Sequence, residues 1–411
     1  MTIEKNIDQQ LALLMQGIEM GDEKLKENMA SELRDRLIDS QKTGVPLRVY
    51  CGYDPTASDL HLGHTVTMRK LKQFQELGHQ AIFVIGSFTA LVGDPSDKDK
   101  ARPRLTKEQV MANAKTYTDQ AFKILDPEKT EVRFNDTWLS EVKLDQAIEI
   151  ASNFTVQQFL VRDNFSKRYA TGEPIWLHEF FYALLQGYDA TELRADVQLG
   201  ATEQLFNLLA GRKLQEAMGM KPQVALTVPV LVGTDGHMRM AKSTGNTIGI
   251  KDPPDEMYGK VMSIPDSAMS NYFRLVTRWE PDEVEKLEEG LESGELHPRD
   301  VKMKLAREIV EINHGENAVE AAEQAFVKLF QEGGKPDDIP EHVYAPDSAV
   351  IDVMVSSGLV DSKSQARRLV DQKGVRVNDV VIEDPYYKID SDEPVVLQVG
   401  KRRFTRLIKS S

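Results

Sequence analysis

Residues 50–64 read YCGYDPTASDLHLGH, and the fold of the chain can be predicted outward from this stretch. The run LRVY at 47–50 predicts a strand, and the CG pair and DPT triplet that follow predict a turn. After His61, apolar residues recur at roughly helical spacing, at positions 66, 71, 74 and 77. A strand, a turn and a helix N-terminus in this order bind phosphate well, because unpaired backbone N–H groups and the positive end of the helix dipole face the anion.

Two histidines, His61 and His64, stand at the predicted start of this helix. Besides a nucleotide site, the pair could belong to a surface turn or to a metal site, but the sequence nearby offers no clear third metal ligand. Gly63 lies between them and, having no Cβ, allows an adenine ring or a ribose to approach the backbone closely. The stretch therefore favours a nucleotide site, and we predict no dedicated metal site in the protein.

The same stretch resembles a known signature. His-Leu-Gly-His is similar to the His-Ile-Gly-His motif of class I aminoacyl-tRNA synthetases, and Tyr-Cys-Gly-Tyr-Asp-Pro-Thr-Ala resembles the tyrosyl synthetases of that class in particular. The resemblance spans essentially the full chain. It implies activation of tyrosine with ATP, which carries Mg²⁺, and transfer of tyrosine to tRNA by a homodimer.

The composition is typical of a soluble globular protein, with 41% hydrophobic and 28% charged residues. A length of 411 residues predicts two or three domains. No apolar run approaches a membrane span, and the first five residues do not read as a signal peptide. A single cysteine, Cys51, excludes an intramolecular disulfide and is typical of a reducing compartment. We therefore expect a cytoplasmic protein with no membrane association.

Alternating helix and strand patterns predict a doubly wound, Rossmann-like α/β domain with a parallel sheet. Predicted strands lie at 47–52, 81–86, 131–134, 195–199 and 224–228, and predicted helices at 7–40, 61–77, 107–125, 138–168, 176–188 and 203–218. After residue 251 the strand patterns stop, and helices are predicted at 257–264, 270–278, 282–292, 299–314 and 318–330. We therefore predict a catalytic domain at 1–250 and an all-α domain at 251–331.

The C-terminal part of the chain is predicted to form a separate module. Residues 332–346 are rich in glycine, proline and acidic residues, which predicts a linker. A helix at 362–372 and short strands ending at 395–399 then predict a small α+β module at 347–411. It resembles the RNA-binding fold of a ribosomal small-subunit protein, which tyrosyl synthetases commonly carry at their C-terminus.

Charge is distributed unevenly along the chain. Residues 347–411 hold 11 Lys+Arg and 10 Asp+Glu, a net of +1, whereas the remainder holds 40 and 55, a net of −15. Basic residues gathered on one face would bind tRNA phosphates, and the alternative is that they only balance the acidic residues among them. The candidate tRNA-binding residues are Arg367, Arg368, Lys373, Arg376, Arg402 and Arg403.

Amino-acid activation requires alignment of reactants and stabilisation of charge on the departing phosphates more than acid–base chemistry. The resemblance gives Thr56 and His61 hydrogen bonds to the outer phosphates, and places Cys51 and His64 beside the ribose or the nucleotide. An equally good reading of Cys51 is a small buried residue at a strand end. Further residues expected against ATP are Gly52, Asp54, Gly63 and Glu203, where Glu203 replaces the shorter Asp usual in the family.

A second basic group, RMAKS at 239–243, resembles the Lys-Met-Ser-Lys-Ser loop that closes over pyrophosphate in this family. Arg239 replaces the first lysine and still supplies a positive charge with a bidentate donor, and Ala241 replaces a small polar residue. An ordinary solvated basic loop is the alternative reading. The residues expected to act at the phosphates are Arg239, Lys242 and Ser243, together with Lys98 and Arg102, which match another mobile basic pair.

Residues 182–189, YALLQGYD, place Tyr182 and Gln186 on one helical face with Asp189 one turn on. The alternative is an ordinary amphipathic helix, which does not explain Asp189 at the end of so apolar a segment. The resemblance implies that Tyr182, Gln186 and Asp94 hold the substrate ammonium, that Tyr50 and Asp189 hydrogen-bond the phenolic hydroxyl, and that Gln204 contacts the substrate carbonyl. A carboxylate that accepts from the phenol would be left buried and unpaired if phenylalanine entered.

Two other functions stay open at this point. A tryptophanyl-type synthetase would share the two phosphate motifs, although Tyr50 with Asp189 and the C-terminal module argue against it. A non-catalytic RNA-binding relative would be expected to have lost the signature histidines or the basic loop, and this chain has both.

Overall fold

The computed structural model of the protein describes residues 5–56, 59–96, 106–330, 339–391, 393–400 and 403–410. The chain divides into two compact units, residues 1–319 and 320–411. The sequence-based boundaries at 250, 331 and 346 stay predictions.

The first unit is built on a five-stranded parallel sheet. Its strands are β1 (Arg48–Tyr53), β2 (Gln80–Ile85), β3 (Thr130–Phe134), β4 (Val197–Ala201) and β5 (Val224–Val228), in the order β3-β2-β1-β4-β5. All five residues of β5 and five of the six in β2 are buried, as expected for strands covered by helices on both faces. The predicted doubly wound α/β class is confirmed. Because the strand order reverses between β1 and β4, the carboxyl ends of these strands flank the crevice where such sheets bind ligands.

Helices precede the sheet and connect its strands. They are α1 (Ile7–Met15), α2 (Glu23–Thr43), α3 (Leu62–Glu76), α4 (Thr89–Val92), α5 (Lys107–Ala121), α6 (Asp136–Leu139), α7 (Leu144–Ser152), α8 (Val156–Leu160), α9 (Asp163–Thr171), α10 (Leu177–Glu192) and α11 (Leu205–Ala217). The helical region predicted at 7–40 forms two helices, α1 and α2, because Gly17 and Gly21 turn the chain between them with φ of 71° and 70°. The helix predicted at 138–168 is four short helices, and Thr155 caps the third of these.

After β5 the chain becomes helical, as the sequence predicts. The helices are α12 (Pro254–Met262), α13 (Met269–Val276), α14 (Pro281–Glu292), α15 (Pro298–His314) and α16 (Val319–Phe330). Proline opens α12, α14 and α15, at the helix position where a backbone N–H is not needed. Helix α12 packs on α15, and α13 contacts α3, so this helical region supports the helix that begins at the histidine motif.

Besides most of α16, the described residues of the second unit form a mixed sheet and two further helices. The strands are β6 (Glu341–Tyr344), β7 (Val375–Val377), β8 (Val380–Val381), β9 (Val395–Val399) and β10 (Arg403–Lys409), ordered β6-β10-β9-β7-β8, and the helices are α17 (Val350–Ser356) and α18 (Lys363–Asp371). Two strands differ from the sequence-based expectation. Strand β10 lies beyond the last predicted strand, and β6 lies within the predicted linker. Strand β6 has only four residues beside a proline, and its extended state depends on its parallel pairing with β10.

No helix in the described ranges is long and apolar enough to span a lipid bilayer.

Candidate active site

A cleft of about 470 Å³ opens at the carboxyl ends of β1, β4 and β5. It brings together side chains from the end of β1, the start of α3, the end of β4 and the loop at 239–243. The predicted residues that line it are Cys51, Gly52, Asp54, Thr56, His61, Gly63, His64, Asp94, Tyr182, Glu203, Gln204, Arg239, Lys242 and Ser243. Lys98 and Arg102 lie outside the described residues.

The rings of the two histidines at the start of α3 accept hydrogen bonds from backbone N–H groups of the motif itself. The backbone N–H of Gly63 donates to Nδ1 of His61, and the backbone N–H of His61 donates to Nδ1 of His64, both at 3.2 Å. Because each Nδ1 accepts, each neutral ring carries its proton on Nε2. Burial lowers the pKa of His61 to about 3 and that of His64 to about 4, and both rings also feel Lys242 and Arg239. At neutral pH the motif therefore presents two uncharged N–H donors.

The glycines and the cysteine of the motif shape the cleft in different ways. A Cβ at Gly63 would lie 3.0 Å from two ring atoms of His61, so a side chain here would push the histidine out of place. A Cβ at Gly52 would meet no atom within 4 Å, which leaves this part of the cleft wall open to a ligand. Cys51 is buried and also lines the cleft, so both of its readings are compatible with the structure. Burial raises the pKa of its thiol to about 11, which keeps the sulfur uncharged.

The basic loop at 239–243 is held by an asparagine that the sequence reasoning missed. The backbone N–H of Ala241 donates to Oδ1 of Asn246 at 2.9 Å, and Nδ2 of Asn246 donates to Oδ2 of Asp235 at 2.5 Å. Lys242 lies 3.8 Å from Asp59, and both side chains are about half exposed. Such an exposed pair contributes little to stability, so Lys242 can leave Asp59 for a phosphate at small cost.

A narrower cavity lies beyond the cleft, between the end of β1 and α10. Its lining includes Asp54, Asn135, Tyr182, Gln186, Asp189 and Gln204. The Tyr182 hydroxyl donates to Oδ2 of Asp54 at 3.0 Å, and the Thr89 hydroxyl donates to Oδ1 of Asp54 at 2.7 Å. Asp54, which the sequence reasoning assigned to ATP, therefore lies on the boundary between the cleft and this inner cavity.

Asp189 is the most deeply placed acid of the site. Oδ1 accepts from Trp138 Nε1 at 2.8 Å, and Oδ2 accepts from Asn135 Nδ2 at 3.2 Å. Burial raises the pKa of Asp189 to about 8, against the effect of these two donors. Sequence reasoning missed both donors. The one signal it could have used is that Asn135 directly follows β3, at the sheet edge where the other site residues gather.

Tyr50 is anchored in the core below this cavity. It packs in the same cluster of buried side chains as Ile82 and Trp138. Its hydroxyl donates to the backbone carbonyl of Gln186 at 3.4 Å, and burial together with Asp189 raises its pKa. Its predicted contact with a phenolic substrate stays a prediction.

Two of the three residues predicted to hold the substrate ammonium, Asp94 and Gln186, accept hydrogen bonds from neighbouring amide side chains, whereas the third, Tyr182, donates to Asp54. Nε2 of Gln204 donates to Oδ2 of Asp94 at 3.2 Å, and Nδ2 of Asn207 donates to Oε1 of Gln186 at 3.1 Å. Both acceptors keep an oxygen lone pair that an ammonium group can use.

Five candidate RNA-binding residues of the second unit lie among the described residues, and all five are exposed: Arg367, Arg368, Lys373, Arg376 and Arg403. The sixth candidate, Arg402, lies outside the described residues. Arg367 donates to the hydroxyl of Tyr386 at 2.9 Å and lies over its ring. Glu383 pairs with Lys373 at 2.6 Å and raises the pKa of that lysine. Arg403 donates to the carbonyl of Leu359. Three of these five basic groups thus already have a partner.

Within the part of the chain that the structure describes, no group of three or more His, Cys, Asp or Glu side chains is arranged to hold a metal ion.

Relatives and solved structures of similar fold point to one family. Residues 351–395 match the S4 domain. The tyrosine--tRNA ligase of Moorella thermoacetica is 48% identical over 98% of this chain and 97% of its own length, and that of Thermotoga maritima is 47% identical over 93% and 96%. A C-terminally truncated mitochondrial tyrosyl-tRNA synthetase of Aspergillus nidulans shares the fold, with a TM-score of 0.62 at 22% identity over 80% of this chain and 95% of its own.

The tyrosyl-tRNA synthetase of Archaeoglobus fulgidus complexed with L-tyrosine also shares the fold, with a TM-score of 0.58 at 22% identity over 78% of this chain and 99% of its own. Residues 42–331 match the family of tRNA synthetases class I (W and Y). With these identities and a cleft that gathers both phosphate motifs, the chain belongs to this class I synthetase family, as its motifs predict.

Proposed function

We propose that the protein activates tyrosine with ATP, releasing pyrophosphate, and then transfers tyrosine to the 3′ end of its cognate tRNA. The observation that carries this is a pair of adjacent cavities that share Asp54, Tyr182 and Gln204 in their lining. Uncharged histidine donors and a basic loop line the outer one, and the buried Asp189 lines the inner one. The names of the relatives favour the tyrosyl over the tryptophanyl activity. The presence of both phosphate motifs argues against a non-catalytic relative.

In the first step the tyrosine carboxylate attacks the α-phosphate of ATP, the bond to the β-phosphate breaks, and pyrophosphate leaves. Negative charge grows on the departing phosphates, and donors fixed before the reaction stabilise it. His61 and Thr56 would donate to the outer phosphates, while Arg239 and Lys242 would add positive charge from the loop. ATP would bring Mg²⁺ with it, which supplies further positive charge at the phosphates.

Selection of tyrosine would take place at Asp189. Its pKa of about 8 means that the carboxyl is largely protonated at neutral pH while only Asn135 and Trp138 donate to it. A phenolic hydroxyl that donates to this group stabilises the ionised form, and a phenylalanine ring offers no such donor. At the other end of the amino acid, Asp94, Gln186 and Tyr182 would accept hydrogen bonds from the ammonium group, and Gln204 would donate to the substrate carbonyl.

ATP–pyrophosphate exchange with each amino acid supplied separately tests the proposal. Tyrosine alone should support exchange, and Asp189→Asn should erode the preference for tyrosine over phenylalanine by about 10-fold or more, since a hydrogen bond to a charged group contributes roughly 1.5–3 kcal/mol. Exchange with tryptophan in place of tyrosine, or no exchange at all, would contradict the proposed activity.

The second unit is proposed to bind tRNA through its exposed basic residues, with the S4 match as support.

We also place the protein in the cytoplasm, an assignment supported by the single buried cysteine, which needs no oxidising compartment.

A homodimer is proposed from the surface of the first unit. Helices α7 to α10 and the segments between them expose a series of large apolar side chains, namely Leu144, Ile148, Val156, Val161, Trp176 and Leu177, each more than half exposed. Exposed apolar side chains concentrated in one region mark interaction sites. A Leu177→Glu variant should sediment as a monomer, whereas Val45→Glu, a change at a valine outside this region that is also more than half exposed, should keep the dimer. Monomeric wild-type protein at micromolar concentration would overturn the proposal.

A further inference from the structure

We infer that Arg162, Ser96 and Asn207 form a clamp that positions Asp94 and Gln186 for the ammonium group of the amino-acid substrate. The three clamp residues would act through those two side chains, as positioning residues. The inference rests on the proposed function, in which Asp94 and Gln186 accept hydrogen bonds from that ammonium.

Ser96 is the centre of the clamp. Its backbone N–H donates to Oδ1 of Asp94 at 2.9 Å, and its hydroxyl oxygen accepts from Nη2 of Arg162 at 2.9 Å and from Nδ2 of Asn207 at 3.5 Å. Asn164 fixes the same turn by donating to the carbonyl of Pro95 at 2.7 Å. The backbone that carries Asp94 is therefore held in place by side chains from α9, from the residue before it and from α11.

Arg162 is a buried cation whose described polar contact is with the clamp residue Ser96. Its side chain is 8% exposed, and its guanidinium lies 4.6 Å from the ring centre of Phe206 and 5.4 Å from that of Phe165. Within the described residues its Nη1 has no hydrogen-bond partner, and its one side-chain hydrogen bond goes to Ser96. Burial lowers the pKa of Arg162, and Asp94 is the acid that most opposes this effect. Burying an arginine this way is unfavourable, so we expect its charge to act on Asp94.

Asn207 ties the second ammonium ligand to the same clamp. It is fully buried, and its Nδ2 donates to Oε1 of Gln186 at 3.1 Å as well as to Ser96. This hydrogen bond fixes which end of the Gln186 amide is the oxygen. An amide oxygen has two lone pairs, so Oε1 can still accept from an ammonium. Without Asn207 the Gln186 amide could rotate and present its NH₂ group, which would repel the substrate.

The clamp predicts an effect that depends on the substrate ammonium. In full-length Ser96→Ala and Arg162→Met variants, tyrosine binding should weaken by about fivefold, the typical contribution of one hydrogen bond converted at 1.4 kcal/mol per tenfold. The inhibition constant of 3-(4-hydroxyphenyl)propionate, which is tyrosine without its ammonium, should stay within about twofold of the wild-type value. The KM for ATP should also stay within about twofold, and kcat for exchange should change less than the KM for tyrosine.

Two control variants make the outcome decisive. Ser87→Ala removes another buried serine hydroxyl on a neighbouring turn, one that donates to Asp136, and should leave the binding of both ligands unchanged. Asp94→Asn should weaken tyrosine binding much more than binding of the analogue. If it does not, the ammonium assignment in the proposed function fails and the clamp fails with it.

If Asp94→Asn behaves as expected, the clamp is tested by itself. Equal weakening of tyrosine and its analogue in Ser96→Ala would mean a purely structural role and would overturn the inference, and unchanged binding of both would do so as well. Ser96→Ala removes a single oxygen, so it gives an answer even if Arg162→Met does not fold.

Discussion

His61 presents an uncharged donor to the outer end of the cleft, because its Nδ1 is occupied by the backbone of Gly63 and its pKa is lowered to about 3. We expect His61→Ala to slow adenylate formation while tyrosine affinity changes little, since the hydrogen bond that it removes is made mainly in the transition state. Because the ring does not titrate near neutrality, the wild-type to variant rate ratio should be constant from pH 5.5 to 8. Single-turnover rates of tyrosyl-adenylate formation measure this.

The prediction is contradicted if the wild-type to variant rate ratio changes with pH and the midpoint of that change lies near the ordinary histidine pKa of about 6.5. Such a change would mean that the charged ring stabilises the phosphates. His342→Ala, a change in the second unit, is the matched control and should leave the rate unchanged. His61→Asn keeps a side-chain N–H donor and should recover part of the rate.

At the level of single residues, the sequence motifs predicted many of the side chains that line the cleft. His61, Gly63 and Lys242 lie in one cleft because each stands at a fixed place in a recognisable string. Asn135 and Trp138 belong to no such string. Their contacts with Asp189 depend on the neighbouring positions of β2 and β3 and on the packing of α10, which no local pattern encodes.

Among the helices, α1 and α3 are joined by a buried lysine. Lys70 of α3 is 5% exposed, and its Nζ donates to the backbone carbonyls of Leu13 at 3.2 Å and Gln16 at 2.8 Å, at the C-terminal end of α1. A cation at this helix end is favourable, but burial lowers the pKa of Lys70 to about 7. The amino group is therefore close to half protonated in the folded protein at neutral pH.

This lowered pKa predicts that stability rises with pH. In the unfolded chain the pKa of Lys70 is near 10.5, so between pH 7 and 10.5 the unfolded state binds more protons than the folded state. This one group should then add about 1.4 kcal/mol to the free energy of unfolding per pH unit within that window, and nothing below it. In Lys70→Met the contribution is absent, so the stability difference between the variant and wild type should change with this slope between pH 7.5 and 9.5.

Denaturant unfolding of both proteins across this pH range measures the slope. Lys115→Met, at a lysine on the exposed surface of α5, is the matched control for the loss of a lysine side chain. A flat difference for Lys70→Met would contradict the lowered pKa.

The strands of the first sheet could be placed from sequence to within about two residues. For β2 and β5 the reason is that strands buried on both faces form short continuous apolar runs, whereas the half-buried β3 gives only a weaker pattern. The sequence predicts the segment at 138–168 as helical but not where its helices end, because the apolar spacing hides the breaks between α6 and α9. Strand β10 was missed because the exposed Arg403 and Arg406 interrupt its buried residues without a period of two, and its strand state depends on the pairing with β9 and β6.

Across the whole molecule, acidic charge is concentrated away from the C-terminal residues. A net of −15 over residues 1–346 repels a polyanion such as tRNA, while residues 347–411 carry a net of +1 and expose those of their arginines that the structure describes. Binding of tRNA by this protein should therefore depend on local basic groups of the second unit, and should weaken as salt concentration rises.

Removal of the C-terminal residues tests whether the first unit forms the adenylate by itself and the second unit binds tRNA. A chain ending at residue 331 keeps the whole cleft, so we expect it to form tyrosyl-adenylate at close to the full-length rate. It should charge tRNA poorly, because the exposed basic residues of the second unit are gone. The full-length Arg368→Glu, Arg376→Glu double variant should show the same split, with a salt dependence of tRNA binding reduced by roughly one unit of slope for each phosphate that the variant no longer neutralises. Intact tRNA charging by the shortened chain, or loss of adenylate formation along with it, would mean that the second unit is not a separable tRNA-binding element.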